Sequence, residues 1–146
     1  MTATSHSLAG ASLAKLIPNP YLAIPLALFS NFALDFIPHW DTGTGWHHRP
    51  KIITFLITGL DVFVGLVLSW WLFSSTVNPL YLLIVIFAAT LPDWIEAPYI
   101  FLNWDFPPFN WLYRVQSKFH GRDGTIRGVV TQIIVILPLV WLALSR

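Results

Sequence analysis

The sequence contains no cysteine and few charged residues. Without a thiol the chain has no disulfide, no thiolate nucleophile and no zinc site of the cysteine type. Only 10% of its 146 residues are charged, whereas a typical soluble domain has about a quarter. Its 8 basic and 7 acidic residues nearly balance, and no basic tract is long enough to indicate a nucleic-acid partner. These deficits argue against a water-soluble domain and against a nucleic-acid-binding protein.

The rest of the composition is apolar and aromatic. Hydrophobic residues make up 55% of the chain, including 8 Trp and 11 Phe, and the mean hydropathy is +0.65. A helix that crosses a hydrocarbon core of about 30 Å needs roughly 20 apolar residues, and four segments approach that length. We therefore predict an all-α integral membrane protein with four transmembrane helices. These cover residues 21–37, 52–73, 80–100 and 126–144.

Two further segments predict helices that do not span. Residues 7–17 are apolar but short, and their small side chains suit close packing against another helix. We prefer a half-helix that enters the membrane and returns at Pro18-Asn19-Pro20, because an interfacial helix should show a basic face and only Lys15 is available. Near residues 110–120, apolar and basic side chains fall on opposite sides of a helix. This pattern predicts an amphipathic helix on the membrane surface.

The basic residues predict an orientation. Most lysines and arginines lie in the two loops that follow the first and third apolar segments. The positive-inside rule therefore predicts that both large loops lie in the cytoplasm. Residues 1–146 are expected to form a single membrane domain. A short similarity between Asp35-Phe36-Ile37 and Asp93-Trp94-Ile95 suggests a weak two-fold repeat of residues 20–73 and 79–146.

The most informative residues are ionisable side chains inside or just below the apolar segments. A charge at the centre of a membrane costs at least about 2.5–3.5 kcal/mol, so it usually faces a partner or a cavity. On the predicted topology seven such side chains can converge near the inner leaflet: His6, Asp35, His39, His48, Asp61, Asp93 and His120. Carboxylates that gather in a low dielectric repel one another unless a cation holds them. Imidazole and carboxylate ligands suit zinc first, with manganese or iron as alternatives, and one or two ions.

Each of these residues also has a purely structural interpretation. Asp35 could cap a turn, His39 could lie among lipid headgroups, and His120 could favour the dipole at a helix C-terminus. Either His47 or His48 could be the ligand from the loop, and we favour His48. Asp61 is harder to explain structurally, because no lysine or arginine lies at a comparable depth to pair with it.

Three arginines and two carboxylates complete the predicted site. Arg49, Arg122 and Arg127 are positioned to bind a phosphate, although they also satisfy the positive-inside rule. Asp93 or Glu96, whichever is not a metal ligand, is the predicted general base.

The N-terminal third resembles a known family. Thr4-Ser5-His6-Ser7, the stretch Leu34-Asp35-Phe36-Ile37-Pro38-His39 and the pair His48-Arg49 look like motifs of the YdjM-like family. Its members are small bacterial inner-membrane proteins described as predicted membrane-bound metal-dependent hydrolases. The resemblance implies a location in a bacterial-type inner (plasma) membrane, and it implies that His6, Asp35, His39 and His48 are metal ligands. More distantly, a helical bundle with many His and Asp ligands is similar to zinc-dependent phospholipase C.

Two functions follow as hypotheses. The first is a membrane-embedded, metal-dependent hydrolase that acts on a lipid or lipid-linked phosphoester at the cytoplasmic leaflet. The alternative is a non-catalytic protein that handles ions or protons, or serves as a partner subunit, through its intramembrane carboxylates. The polar residues gather on one side, and residues 62–73 are apolar apart from Ser69. That asymmetry favours a site over a translocation path, with membrane lipid as the expected partner.

Overall fold

Six α-helices and one short 3₁₀ turn form the regular structure, and no β-strand is present. The computed structural model describes all 146 residues. The helices are α1 (Ala3–Leu16), α2 (Pro20–Phe36), α3 (Lys51–Phe73), α4 (Pro79–Leu102), α5 (Phe109–Phe119) and α6 (Ile126–Leu144), and the 3₁₀ turn covers Trp46–His48. The predicted all-α class is confirmed.

The polar clusters between the apolar segments start the helices. The side chain of Asn19 accepts a hydrogen bond from the Tyr21 N–H at 2.9 Å, and Asn78 accepts one from Tyr81 at 3.1 Å. A proline follows each asparagine at the first helical position, where its missing N–H costs nothing. These Asn-Pro pairs therefore fix where α2 and α4 begin.

Three helices are long and apolar enough to cross a membrane, namely α3, α4 and α6. Their outer faces are consistent with a lipid environment, since Phe55, Trp71 and Ile134 are all more than half exposed. Helix α2 is apolar but has only 17 residues, fewer than the roughly 20 expected of a span. Membrane association is thus supported, and a fourth span stays a prediction.

Helix α1 lies at the centre of the bundle and contacts α2, α3, α4 and α6. Its small residues allow this close approach. A Cβ on Gly10 would lie 2.7 Å from the Cβ of Ala89, and one on Gly65 would lie 2.7 Å from the Cα of Thr4. This central packing agrees with the small-residue pattern of residues 7–17 and not with a helix on the outer surface.

The two ends of α1 lie at different depths. Its C-terminal end is near the start of α4, where the Tyr81 hydroxyl donates to the Ile17 carbonyl at 2.5 Å. Its N-terminal end lies beside Asp61, near the middle of α3. Helix α1 therefore fills only half the length of the bundle and leaves the other half to polar groups.

Helix α5 is the predicted amphipathic helix. Trp111 and Phe119 on it are 63% and 57% exposed, whereas Gln116 is buried. Gln116 reaches the bundle interior and donates to the Asn31 side chain at 3.1 Å and to Asp35 at 3.4 Å. The helix thus covers the polar end of the bundle and places one side-chain amide, that of Gln116, inside it.

Candidate metal centre

Backbone hydrogen bonds tie the loop after α2 to the segment after α5. The Gly121 N–H donates to the Asp35 carbonyl at 2.7 Å, and the His39 N–H donates to the Gly121 carbonyl at 2.9 Å. The Asp123 N–H then donates to the His39 carbonyl at 2.7 Å. This short parallel pairing brings His39 and His120 together although 81 positions separate them.

The first candidate ligand group consists of Asp35, His39 and His120, whose ligand atoms all lie within 4.8 Å of one another. The His39 Nε2 atom is 3.7 Å from Asp35 Oδ1 and 3.0 Å from His120 Nε2. The His120 Nδ1 atom is 3.8 Å from Asp35 Oδ2. His39 is completely buried and Asp35 is 3% exposed. Such a set of imidazoles and a carboxylate could hold a metal ion.

The hydrogen bond at the other ring nitrogen of His39 sets its tautomer. His39 Nδ1 lies 2.7 Å from the Ile37 carbonyl oxygen, which can only accept, so Nδ1 carries a proton. In the neutral ring the Nε2 lone pair then faces Asp35 and, at 3.5 Å, Asp41 Oδ2. A lone pair aimed at two carboxylates is unfavourable, and either a proton on Nε2 or a metal cation between the groups removes that cost. A backbone carbonyl on the second nitrogen is also the usual support of a histidine that binds a metal.

The second candidate ligand group consists of His6, Asp35 and Asp93. The fully buried His6 has its Nε2 atom 3.1 Å from Asp35 Oδ1, and the amino group of Met1 also contacts Asp35. Asn31 holds Asp93 by donating to its Oδ2 at 3.2 Å and to the Ala89 carbonyl at 3.0 Å. Because both groups share Asp35, this carboxylate would be a ligand whichever group held an ion.

Asp41 was not among the predicted ligands but lies at the edge of the cluster. Its Oδ2 atom is 3.0 Å from both His120 Nε2 and Arg122 Nε. Burial alone would raise the pKa of Asp41, but the hydrogen bond from His120 together with the Arg122 charge holds that pKa well below its usual range. Burial lowers the pKa of His120 to about 4, so its ring is neutral near pH 7 and offers a lone pair.

Four predicted residues lie outside the cluster. Asp61 accepts hydrogen bonds from the Ala3 N–H at 2.7 Å, the Thr4 N–H at 3.1 Å and the Thr4 hydroxyl at 2.7 Å, so it caps the N-terminus of α1. His48 is exposed in the 3₁₀ turn, as is His47, which stacks on Trp46. Arg49 donates to the carbonyls of Thr42 and Thr44 within its own loop, at 2.5 and 2.9 Å. Arg127 is exposed at the start of α6.

The residues missed by sequence reasoning had a detectable signal. Asn31 lies four positions before Asp35, so both fall on the same side of α2. A polar residue on that side of an apolar helix indicates a side chain that hydrogen-bonds to a metal ligand without binding the metal itself. Asp41 lies two positions after His39, and in the extended backbone around His39 alternate side chains point the same way.

A cavity adjoins the cluster between α3 and α4. It has a volume of about 360 Å³, and its wall includes Asp41, Asp93, Glu96, His120 and Arg122. Glu96 is 7% exposed, and its Oε1 atom has no hydrogen-bond partner. The cavity therefore brings an unpaired carboxylate and an arginine next to the candidate ligands.

Gly121 is expected to be essential to this geometry although it binds nothing itself. A Cβ there would lie 2.8 Å from the Ile37 carbonyl oxygen and 2.9 Å from that of Phe36. Gly121→Ala should push the paired loops apart, separate His39 from His120 and weaken metal affinity by about 10–100-fold, as loss of an outer-sphere partner does. Isothermal titration calorimetry with zinc and with cobalt measures the change in metal affinity. The control is Gly124→Ala, where the added Cβ meets only a Thr44 methyl at 3.1 Å; equal affinities in the two variants would contradict the expectation.

The polar end of the bundle holds two overlapping groups of buried or half-buried residues that could hold a metal ion. Arg122 and Glu96 lie on the wall of the adjoining cavity. Comparisons of the chain with protein-family models, with curated proteins and with solved structures find no match. The resemblance to the YdjM-like family thus stays a prediction, and function is argued from this geometry.

Proposed function

We propose that this chain is a membrane-embedded, metal-dependent hydrolase acting on a lipid or lipid-linked phosphoester. The carrying observation is the position of Asp35. It is buried, shared by the two candidate ligand groups, and close to a cavity that also exposes Glu96 and Arg122. A structural role alone would not require three imidazoles and two carboxylates to meet in an apolar bundle.

The proposed ligands are His6, Asp35, His39, Asp93 and His120. Zinc is the preferred ion because imidazole and carboxylate suit it, and manganese or iron would also be accepted by this donor set. When bound, a divalent cation would activate water near neutral pH and polarise a phosphoryl oxygen. In this proposal Asp61 and His48 are no longer ligands, since Asp61 caps α1 and His48 is exposed.

Glu96 is the proposed general base. Of the carboxylates that line the cavity, Asp93 lies with the ligands, Asp41 is paired with His120 and Arg122, and Asp61 caps α1. Glu96 is left, and its Oε1 atom has no hydrogen-bond partner. In the hydrolytic step the water oxygen bonds to phosphorus while the bond from phosphorus to the leaving oxygen breaks. Glu96 takes the water proton, and the leaving oxygen is protonated from solvent. Arg122, held by Asp41 through Nε, keeps its remaining N–H groups for the phosphate.

The membrane arrangement belongs to the same proposal. We infer that α2 crosses as a fourth, short span and that α1 is a half-helix inside the membrane. The basic loops then lie in the cytoplasm, and the polar end of the bundle opens at the inner leaflet. The cleft between α3 and α4 gives a lipid lateral access to the polar end of the bundle.

The experiment is hydrolysis of defined lipids by the purified protein in vesicles supplied with zinc, manganese or iron. Phosphatidic acid and phosphatidylglycerol serve as monoester and diester substrates. Glu96→Gln should reduce turnover by about 10²–10⁴-fold, the usual contribution of a general base, while bound metal stays unchanged. Asp105→Asn is the matched control, because Asp105 is exposed and pairs with Arg114. The proposal would be refuted if neither lipid were hydrolysed with any of the three metals, or if Glu96→Gln kept full activity.

A further inference from the structure

Two buried amide side chains join helix α5 to the candidate ligands. Gln116 of α5 donates from Nε2 to Asn31 Oδ1 at 3.1 Å and, over a longer distance of 3.4 Å, to Asp35 Oδ2. Asn31 of α2 in turn donates from Nδ2 to Asp93 Oδ2 at 3.2 Å and to the Ala89 carbonyl at 3.0 Å. The Asn31–Gln116 amide pair therefore contacts both carboxylates of the second candidate ligand group.

The chemistry of the partners fixes the direction of these hydrogen bonds. A backbone carbonyl only accepts, so the Asn31 atom that faces Ala89 must be the amide nitrogen. The Asn31 oxygen then needs a donor, and the Gln116 nitrogen supplies it. The other N–H of Gln116 is left for the Asp35 carboxylate. Both amides thus direct an N–H group to a carboxylate, and neither can be turned round without losing a hydrogen bond.

Packing alone does not explain these two residues. Gln116 is the one buried residue of α5, and its Oε1 atom is buried without a hydrogen-bond partner. Burying an amide with an unsatisfied oxygen costs free energy that an apolar side chain of similar size would not. Asn31 is completely buried as well, in a largely apolar helix. The amide pair is therefore better explained by the groups to which it donates.

The hydrogen bonds that reach the two carboxylates both end on Oδ2 atoms. On Asp35 this leaves Oδ1, which faces His6 Nε2 at 3.1 Å and His39 Nε2 at 3.7 Å. On Asp93 the bond from Asn31 likewise occupies Oδ2 and leaves the other oxygen. Hydrogen bonds to a ligating carboxylate fix its orientation. The amide pair can thus decide which oxygen of each carboxylate is presented to an ion.

We propose that Asn31 and Gln116 are positioning residues of the metal centre, which raise its affinity by holding Asp35 and Asp93 through Oδ2 and presenting Oδ1. The proposal rests on the metal centre of the proposed function but not on its hydrolytic step. It gives α5 a role beyond covering the bundle, because the ligand geometry then depends on how this helix is seated. Neither amide touches the ion itself.

The test replaces both amides by apolar side chains of similar size, Asn31→Leu and Gln116→Met, in one protein. Because both partners of their mutual hydrogen bond are removed together, the melting temperature of the metal-free protein in detergent should stay near that of the wild type. Zinc affinity, measured by isothermal titration calorimetry on the full chain, should nevertheless fall about 10–100-fold. The control is Gln132→Met on α6, where the amide donates to the Thr2 hydroxyl at 3.1 Å and zinc affinity should not change.

The single variant Gln116→Met gives a second readout. Cobalt(II) bound in place of zinc absorbs visible light according to its coordination geometry, so the spectrum should change in Gln116→Met and not in Gln132→Met. Wild-type zinc affinity in the double variant, or an equal fall in the control, would overturn the positioning role. If the double variant does not fold, a wild-type cobalt spectrum in Gln116→Met would overturn it. A wild type that binds zinc but hydrolyses no lipid would refute only the proposed hydrolysis, whereas one that binds no metal would refute both.

Discussion

Asp35→Asn is expected to abolish metal binding by this protein. Asp35 belongs to both candidate ligand groups, so one change removes a negative ligand from each. The loss of affinity should exceed the roughly 10–100-fold that follows from losing an outer-sphere partner. Asparagine has nearly the same shape, so the bundle should keep its helices. Bound metal is measured by mass spectrometry of the purified protein and helical content by circular dichroism.

The matched control for this change is Asp123→Asn. Asp123 accepts hydrogen bonds only from Thr125, at 3.0 Å from its N–H and 2.6 Å from its hydroxyl. That variant should bind metal as the wild type does. A wild type without metal after reconstitution with zinc, manganese and iron, or a fully loaded Asp35→Asn, would disprove the assignment of the centre.

Asp61→Ala is expected to destabilise the protein by roughly 2–3 kcal/mol, because it removes a charged acceptor from three donors at the start of α1. The N-terminal turn of α1 would then lose its cap and His6 its fixed position. Metal affinity should fall as a consequence. The melting temperature in detergent and the bound metal are the two measurements.

Asp61→Asn distinguishes capping from ligation. The amide oxygen still accepts from one backbone N–H, so this variant should retain more stability than Asp61→Ala and bind metal. A metal ligand would behave differently, because loss of the negative charge alone would release the ion. Asp61→Asn with wild-type stability and no metal would show that Asp61 is a ligand and that its contacts with α1 are incidental.

The sequence was sufficient to predict the helices, because their apolar lengths and Asn-Pro starts are local properties. It also predicted that Asp35, His39 and His120 converge, since each follows or precedes an apolar segment on the same side. The sequence was not sufficient to predict the role of Asp61. Burying a charge is costly enough to require a partner, but the sequence does not identify that partner. For Asp61 it is the backbone of Thr4, 57 positions away. The free N–H groups at the start of α1 belong to the backbone, so no pattern of side chains indicates them.

The loop ligand was hard to predict for a related reason. Between residues 39 and 48 the sequence offers three histidines and one aspartate, and all lie in the single loop between α2 and α3. Only the backbone pairing of His39 with the segment 121–123 decides which of them point inward. That pairing depends on Gly121 and Gly128, whose added Cβ atoms would each lie within 3 Å of the backbone of residues 36–40. Long-range contacts of this kind leave little trace in one sequence beyond the glycines.

The spread of the ligands along the chain has a consequence for biosynthesis. His6, Asp35 and Asp93 have all been synthesised once α4 is complete, whereas His120 follows only after α5. A nascent chain therefore completes the group around His6 before the group around His39. If two ions are taken up, the ion of the His6 group can be bound first and can hold α1 against α2 and α4 while α6 is still being translated. Ion uptake would then be a step of membrane insertion as well as a requirement of the finished protein.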